Sequence, residues 1–220
     1  MLANPCDDFI ICGLDEAGRG PLAGPVYASA VVFKRSLIAQ SMVQDTQEKL
    51  CGCGDEFLQL LNDSKKLSAR SREKAFDAII ANSFYAISFA SHEEIDELNI
   101  LQASLLAMAR SFSLVYAQIA KESPQLLDNL HVIIDGNKVP HFAEQVRCEA
   151  MVKADAKVRE VMAASILAKV ARDRKMIEYS RLYPQWQYEK HKGYPTKAHI
   201  EAIRQWGISP IQRKSFKYKL

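Results

Sequence analysis

The sequence predicts an α/β domain in which a mixed central β-sheet is flanked by helices, with a helical extension at its C-terminal end. Two patterns carry this expectation. Apolar runs of strand length, closed by turn residues, recur near the start and in the middle of the chain, and stretches of helical period lie between and after them. A composition of 48% apolar and 25% charged residues over 220 positions suffices for one core and excludes an intrinsically disordered chain.

Residues 9–14 suit a buried strand that Asp15-Glu16 and a glycine-rich turn bring to an end. Residues 26–33 are a second run, rich in β-branched and aromatic side chains. Between 37 and 61 a helical surface insertion is expected; it carries Cys51-Gly52-Cys53, a pair with no second pair to complete a metal site. Residues 83–90 read as a third strand, after which Ser91 and Glu94 form a capping box for a short helix. Leu101, Leu105, Met108, Phe112, Val115 and Ile119 recur at steps of four and three, the stripe of one long helix. Residues 130–134 are a fourth strand, and Val146, Cys148, Ala150 and Val152 alternate with polar residues as a half-exposed fifth. Ala164, Ile166, Leu167, Val170 and Ala171 define a helix after Asp155, and a last helix is expected over 195–206, with Pro at its start and Gly207 past its end. One domain is expected, with a core over about 8–175 and a basic, helical C-terminal region over about 176–220.

Net charge is only +3, but residues 169–220 hold 13 Lys/Arg against 4 Asp/Glu while residues 1–168 hold 16 against 22. A basic end of this kind suits a polyanion, although surface charge also drifts along ordinary chains. No apolar run approaches the roughly 20 residues of a membrane helix. The first residues lack a signal-peptide pattern, and the five cysteines are scattered, so the reducing cytoplasm is the expected location.

Three strand ends leave carboxylates behind: Asp15 with Glu16 after the first run, Asp135 after the fourth, and Asp155 just after the fifth. Acids end strands for reasons of turn chemistry alone, so any one of them has a structural explanation. Together they would repel each other at the ligand-binding edge of a sheet unless a cation sat among them. Hard oxygen donors suit Mg²⁺ or Mn²⁺, and no Cys/His spacing points to zinc. Four carboxylates would match two divalent ions. In the loop that follows, Gly18 and Gly20 permit a close backbone approach to a ligand, and Arg19 between them suits a phosphate, a sugar or an exposed place in a tight turn. The loop has neither the GK[ST] ending of a Walker A motif nor the GxGxxG pattern.

The run from Gly13 through Asp15-Glu16-Ala17-Gly18-Arg19-Gly20-Pro21 to Val26 resembles the N-terminal signature of the bacterial ribonuclease HII family. Further blocks agree in order: Asn62-Asp63-Ser64-Lys65-Lys66-Leu67-Ser68; Ile134-Asp135-Gly136-Asn137; Lys153-Ala154-Asp155, leading into Ala163 through Asp173; His191-Lys192-Gly193-Tyr194-Pro195-Thr196; and the closing Arg213-Lys214-Ser215-Phe216. The related ribonuclease HIII family lacks the Gly-Arg-Gly form of the loop. The segment between Phe33 and Asn62 is longer than is usual in the family.

The resemblance implies a ribonuclease H-like fold and an endoribonuclease that cuts the RNA strand of RNA–DNA hybrids. It also implies incision of duplex DNA on the 5′ side of an embedded ribonucleotide, leaving 5′-phosphate and 3′-hydroxyl ends. It makes Asp15, Glu16, Asp135 and Asp155 the catalytic, metal-binding carboxylates for two Mg²⁺ or Mn²⁺ ions. Gly18, Arg19 and Gly20 would contact the ribonucleotide, and Tyr194 would pack on the adjoining deoxyribose. Lys65, Lys66 and Asn137 would contact substrate, as would Ser165, Lys169 and Arg172, which step along one helical face. Ser68 is expected to cap a helix, His191 to belong to the motif that presents Tyr194, and His199 to lie solvated or capping on the last helix. The expected partners are the hybrid and the ribonucleotide-containing duplex, with the protein a monomer and no membrane involved. A hybrid-binding module without catalysis and another nuclease of the same fold are the competing classes; the presence of all four carboxylates argues against the first.

Overall fold

Strand periodicity explains how the sheet comes to be buried on both faces. The computed structural model describes residues 9–34, 60–61 and 67–218. Its five strands are β1 (Ile10–Ala17), β2 (Val26–Phe33), β3 (Ser83–Ala90), β4 (Leu130–Asp135) and β5 (Arg147–Met151). They lie in the order β3-β2-β1-β4-β5. The β1–β2 and β2–β3 pairs are antiparallel, and β1–β4 and β4–β5 are parallel, so the sheet is mixed as expected. The helices are α1 (Ala69–Asn82), α2 (His92–Leu98), α3 (Ile100–Glu122), α4 (Arg159–Leu182), α5 (Tyr188–His191) and α6 (Lys197–Trp206).

Ile10, Cys12 and Leu14 of β1 alternate onto one face with Val26, Ala28, Ala30 and Val32 of β2 and Leu130, Val132 and Ile134 of β4. Against them packs the stripe of α3, formed by Ala103, Ala107, Met108, Phe112, Val115 and Ile119. Val31 and Phe33 face the other way, onto Ala75, Phe76 and Ile79 of α1 and Ala163, Ala164, Ile166 and Leu167 of α4. Covering both faces makes strands read as nearly unbroken apolar runs. α3 is long and apolar enough to cross a membrane by length and composition, although Gln102, Ser104, Arg110, Ser111 and Ser113 interrupt its apolar run. Its hydropathy has a local cause, because its apolar stripe is the core face against the sheet.

Gly13 brings α4 onto β1. A Cβ there would lie 2.2 Å from the Glu160 carbonyl carbon and the Val161 nitrogen, so the first turn of α4 rests directly on the strand. The capping box of Ser91 and Glu94 and the Ser68 cap form as expected. The expected helical insertion over 37–61 lies outside the described residues except for Leu60 and Leu61, and Cys51 and Cys53 fall with it. Beyond the sheet, α4 carries Met176 into a small cluster with Ala23, Trp186, Tyr188, Ala202 and Ile211. The last helix stops where expected, at Gly207 with φ +79°, and the rest of the basic C-terminal region returns without helix. There Ala23 and Gln212 form an antiparallel bridge, with Gly24 N–H donating to Ile211 O and Arg213 N–H to Leu22 O, both at 2.8 Å.

Candidate active site

Parallel pairing of β1 with β4 sets Leu14 opposite Ile134, so the strands deliver Asp15 and Asp135 side by side. After β5 the chain turns through Lys153, in the left-handed region at φ 60°, into a short 3₁₀ turn. There Ala154 N–H donates to Asp135 Oδ1 at 2.8 Å and draws Asp155 to the same place. Asp15, Asp135 and Asp155 each present an oxygen within 4.8 Å of the others. Asp15 is buried; its Oδ1 accepts from Glu16 N–H at 2.7 Å, and the Ser165 hydroxyl donates to it. Burial, together with the neighbouring Glu16 and Asp135 charges, holds the Asp15 carboxyl well above the usual carboxylate range. Three acids gathered this closely could hold a cation among them, and an all-oxygen donor set fits a hard divalent ion.

β1 runs further than the sequence suggests. Pairing with β2 sets Asp15 opposite Ser29 and Glu16 opposite Ala28, so both acids lie within the strand and the pleat sends them to opposite faces. Asp15 faces Ser165 of α4. Glu16 borders a groove with Leu101, Leu105 and Met108 of α3, and its Oε1 lies 3.4 Å from Arg19 Nη1. Burial raises its pKa and Arg19 opposes the rise. Of the four acids, three therefore share one cluster and Glu16 stands beside it.

An open cleft of about 530 Å³ lies over the cluster, bordered by Asp15, Glu16, Gly18, Arg19, Gly20, Asp135, Ser165, Lys169 and Tyr194. Arg72, from the first turn of α1, also borders it and was not anticipated; the cap at Ser68 was its only local signal. Asn137 lines the adjoining groove with Glu16 and Arg19. Lys65 and Lys66 lie outside the described residues. None of the five histidines, all within the described residues, borders the cleft.

Arg172 does not share the cleft with Ser165 and Lys169. It is completely buried, and its Nε and Nη2 donate to the carbonyls of Pro25 (3.0 Å) and Ala23 (3.2 Å). The helical stripe is real, but α4 passes beneath the glycine loop at that level. Gly18, at φ +102°, is required there, since a Cβ would stand 2.0 Å from Arg172 Nε. A second buried guanidinium, Arg213, donates to the carbonyls of Gly24 (2.8 Å), Arg19 (3.0 Å) and Gly18 (2.7 Å). Desolvation lowers Arg213 to about 9 and Arg172 to about 10, and the charge of Arg172 contributes to the shift at Arg213. Five carbonyls of residues 18–25 thus turn inward onto two planar cations. Asp96 of α2 fixes the segment that follows Arg213 by accepting from Lys214 N–H (2.9 Å) and Ser215 N–H (2.8 Å).

Tyr194 stands 39% exposed at the cleft edge, with Lys169 Nζ 5.9 Å and the Arg172 guanidinium 5.8 Å from its ring centre. Its neighbour Gly193, at φ +82°, leaves room for the Ala23 carbonyl, which a Cβ would approach to 2.6 Å. The expectation for His199 is corrected. It is completely buried, because α6 turns His199, Ala202 and Ile203 inward, and the N-cap is Thr196.

A mixed sheet whose two central strands carry neighbouring acids, covered by helices on both faces, defines the ribonuclease H-like class of α/β proteins. A sequence model of the family described as Ribonuclease HII matches residues 12–219, and the chain belongs to that family. It is thereby a metal-dependent hydrolase, an endoribonuclease. The ribonuclease HII of Treponema denticola is 49% identical over 212 residues, covering 94% of this chain and 98% of that protein. Among solved structures, ribonuclease HII in the complex with PCNA from Archaeoglobus fulgidus superposes with a TM-score of 0.67 at 22% identity, covering 96% of this chain and 97% of that one. Bst ribonuclease HIII in complex with Mn²⁺ gives 0.63 at 20% identity, covering 91% and 63%.

Proposed function

We propose that the protein cleaves the RNA strand of RNA–DNA hybrids and incises duplex DNA on the 5′ side of an embedded ribonucleotide, leaving 5′-phosphate and 3′-hydroxyl ends. The observation that carries this reading is the convergence of Asp15, Asp135 and Asp155 under a cleft edged by Gly18-Arg19-Gly20 and Tyr194. Asp15, Glu16, Asp135 and Asp155 would hold two Mg²⁺ or Mn²⁺ ions. When bound, such ions supply an activated water and stabilise charge on a leaving 3′-oxygen. No protein nucleophile is needed, and no histidine borders the cleft to act as base or acid in an attack by the 2′-hydroxyl.

The remaining residues recognise and position. With the carbonyls of residues 18, 19 and 23–25 drawn inward, the loop is held rigidly where its backbone can meet the ribose 2′-hydroxyl, the group that separates RNA from DNA. Arg19 suits a phosphate and Tyr194 the face of the adjoining deoxyribose. Ser165, Lys169, Asn137 and Arg72 border the path of the backbone, and Lys65 and Lys66 are assigned to it from sequence. Arg172 acts as a positioning residue beneath the loop. Because the segment after α6 pairs with residues 22–24, we take the chain as one catalytic domain. A cytoplasmic monomer without membrane contact completes the reading.

The test is incision of a labelled DNA duplex holding one ribonucleotide, with Mg²⁺, with Mn²⁺ and with chelator. A metal-dependent cut 5′ to the ribonucleotide, absent from an all-DNA control, supports the proposal. Equal cutting of the all-DNA duplex would favour a nuclease of different substrate.

A further inference from the structure

Behind Tyr194 two histidines lie face to face. His191 ends α5 and His199 sits in the first turn of α6, with ring centres 4.5 Å apart and planes 14° from parallel. Both are buried, and the Tyr188 ring packs edge-on against each, at 5.7 and 5.6 Å. Two stacked, desolvated imidazoles disfavour a proton on either, and His199 is lowered to about 4, first by burial and then by His191.

The hydrogen bonds decide which nitrogen of each neutral ring carries its hydrogen. Gly193 N–H donates to His191 Nδ1 at 3.2 Å, so the hydrogen of His191 is on Nε2, where it meets the Trp186 carbonyl at 2.8 Å. For His199 the arrangement is reversed. Its Nδ1 lies 3.0 Å from the Tyr194 carbonyl, which only accepts, so Nδ1 is the donor. Its Nε2 is buried without a partner, a cost better borne by a lone pair than by an N–H group. The two rings thus grip consecutive residues of one turn, at the Gly193 amide and the Tyr194 carbonyl. Tyr194 N–H returns to His191 O at 2.9 Å, and Gly193 O accepts from Leu22 N–H at 2.8 Å, tying the turn to the glycine loop.

We infer that His191 and His199, a stacked neutral pair of opposite tautomers, are positioning residues that set the Tyr194 ring at the cleft and so tune the preference for a lone ribonucleotide over a continuous hybrid. The inference rests on the reading of Tyr194 as the residue that meets the deoxyribose beside the ribonucleotide.

Long-range ¹H–¹⁵N correlation of the full-length protein at pH 7 reads the tautomers without any substitution. His191 should be protonated at Nε2 and His199 at Nδ1; the opposite form at either ring overturns the pair. Kinetics then test the consequence. His199→Phe keeps a ring in the stack and loses the donor, whereas His199→Asn keeps a donor near the Nδ1 position. The Phe variant should lower kcat/KM on a single-ribonucleotide duplex about tenfold while changing hybrid cleavage less than about threefold, and the Asn variant should regain most of the loss. Equal losses on both substrates, or no recovery with Asn, overturn the inference. Tyr194→Ala run alongside separates the two readings. If it lowers both substrates equally, the reading of Tyr194 fails; if it is selective while His199→Phe is not, the pair alone fails.

Discussion

Arg213 Nη2 donates to the Gly18 carbonyl at 2.7 Å, joining residues 195 positions apart. The same guanidinium reaches the carbonyls of Arg19 and Gly24, so one side chain near the chain's end ties both sides of the loop over the acidic cluster. A buried cation is costly, and here the hydrogen bonds that compensate it come from backbone carbonyls, while Asp96, which accepts from the backbone of Lys214 and Ser215, adds a favourable charge nearby. Rigidity of the loop follows from the planar, fixed fork of Arg, which a single ammonium cannot reproduce.

Arg213→Gln is therefore expected to destabilise the fold by about 2–4 kcal/mol and to lower ribonucleotide incision, because three carbonyls lose a charged donor at once. Arg213→Lys should recover little. Urea unfolding of both variants beside the exposed-site control Arg204→Gln checks this; a loss under about 0.5 kcal/mol, the size of a surface effect, would show that the loop does not depend on the clamp.

Metal binding should be visible as stability. The folded cluster gathers carboxylates that the unfolded chain leaves apart, so Mn²⁺ at about 100 times its Kd should add about 2.7 kcal/mol. Thermal scans with Mn²⁺ and with chelator are expected to differ for the wild type and to coincide for Asp135→Asn. An equal shift in the variant would place the stabilising ion elsewhere.

His199 makes stability fall on the acid side. Its pKa is about 4 in the folded protein and near 6.5 when unfolded, so between those values the unfolded chain binds a proton that the folded one refuses. The contribution is whole above about pH 6.5 and is lost as pH falls through 4. Denaturant midpoints measured from pH 7 to 4 should decline less steeply for His199→Asn than for the wild type; parallel curves would show that His199 titrates normally.

Much of the fold was legible because its signals are local. β2 and β3 span the residues expected: β2 is an apolar run buried almost throughout, and β3 sets Phe84, Ala86 and Ala90 on its core face while Tyr85, Ile87 and Phe89 lie on a more exposed one. For α1 only the cap at Ser68 was legible and not the helix's extent, because only Ala75, Phe76 and Ile79 of its charged sequence are buried. The placing of Asp15, Asp135 and Asp155 at the ends of apolar runs was also visible. Their meeting depends on parallel pairing of β1 with β4, and the separation of Glu16 depends on the pleat of a strand that runs past its expected end. Arg172, Arg213 and His199 gave no local cue. Each reads as a surface side chain until the carbonyls that accept its hydrogen bonds are known, and for the two arginines these lie 147 to 195 positions away in sequence.

The most direct measurement is single-turnover incision of the one-ribonucleotide duplex by the wild type and by Asp135→Asn, with duplex binding measured in parallel. On the proposed function the cluster would hold the ions while the cleft's basic rim, Arg19, Arg72 and Lys169, would hold the backbone. Expected is a fall in cleavage of at least about 10²–10³-fold with affinity within about threefold of the wild type. Cleavage that survives the substitution, or binding that collapses with it, would contradict a catalytic centre built on Asp15, Asp135 and Asp155.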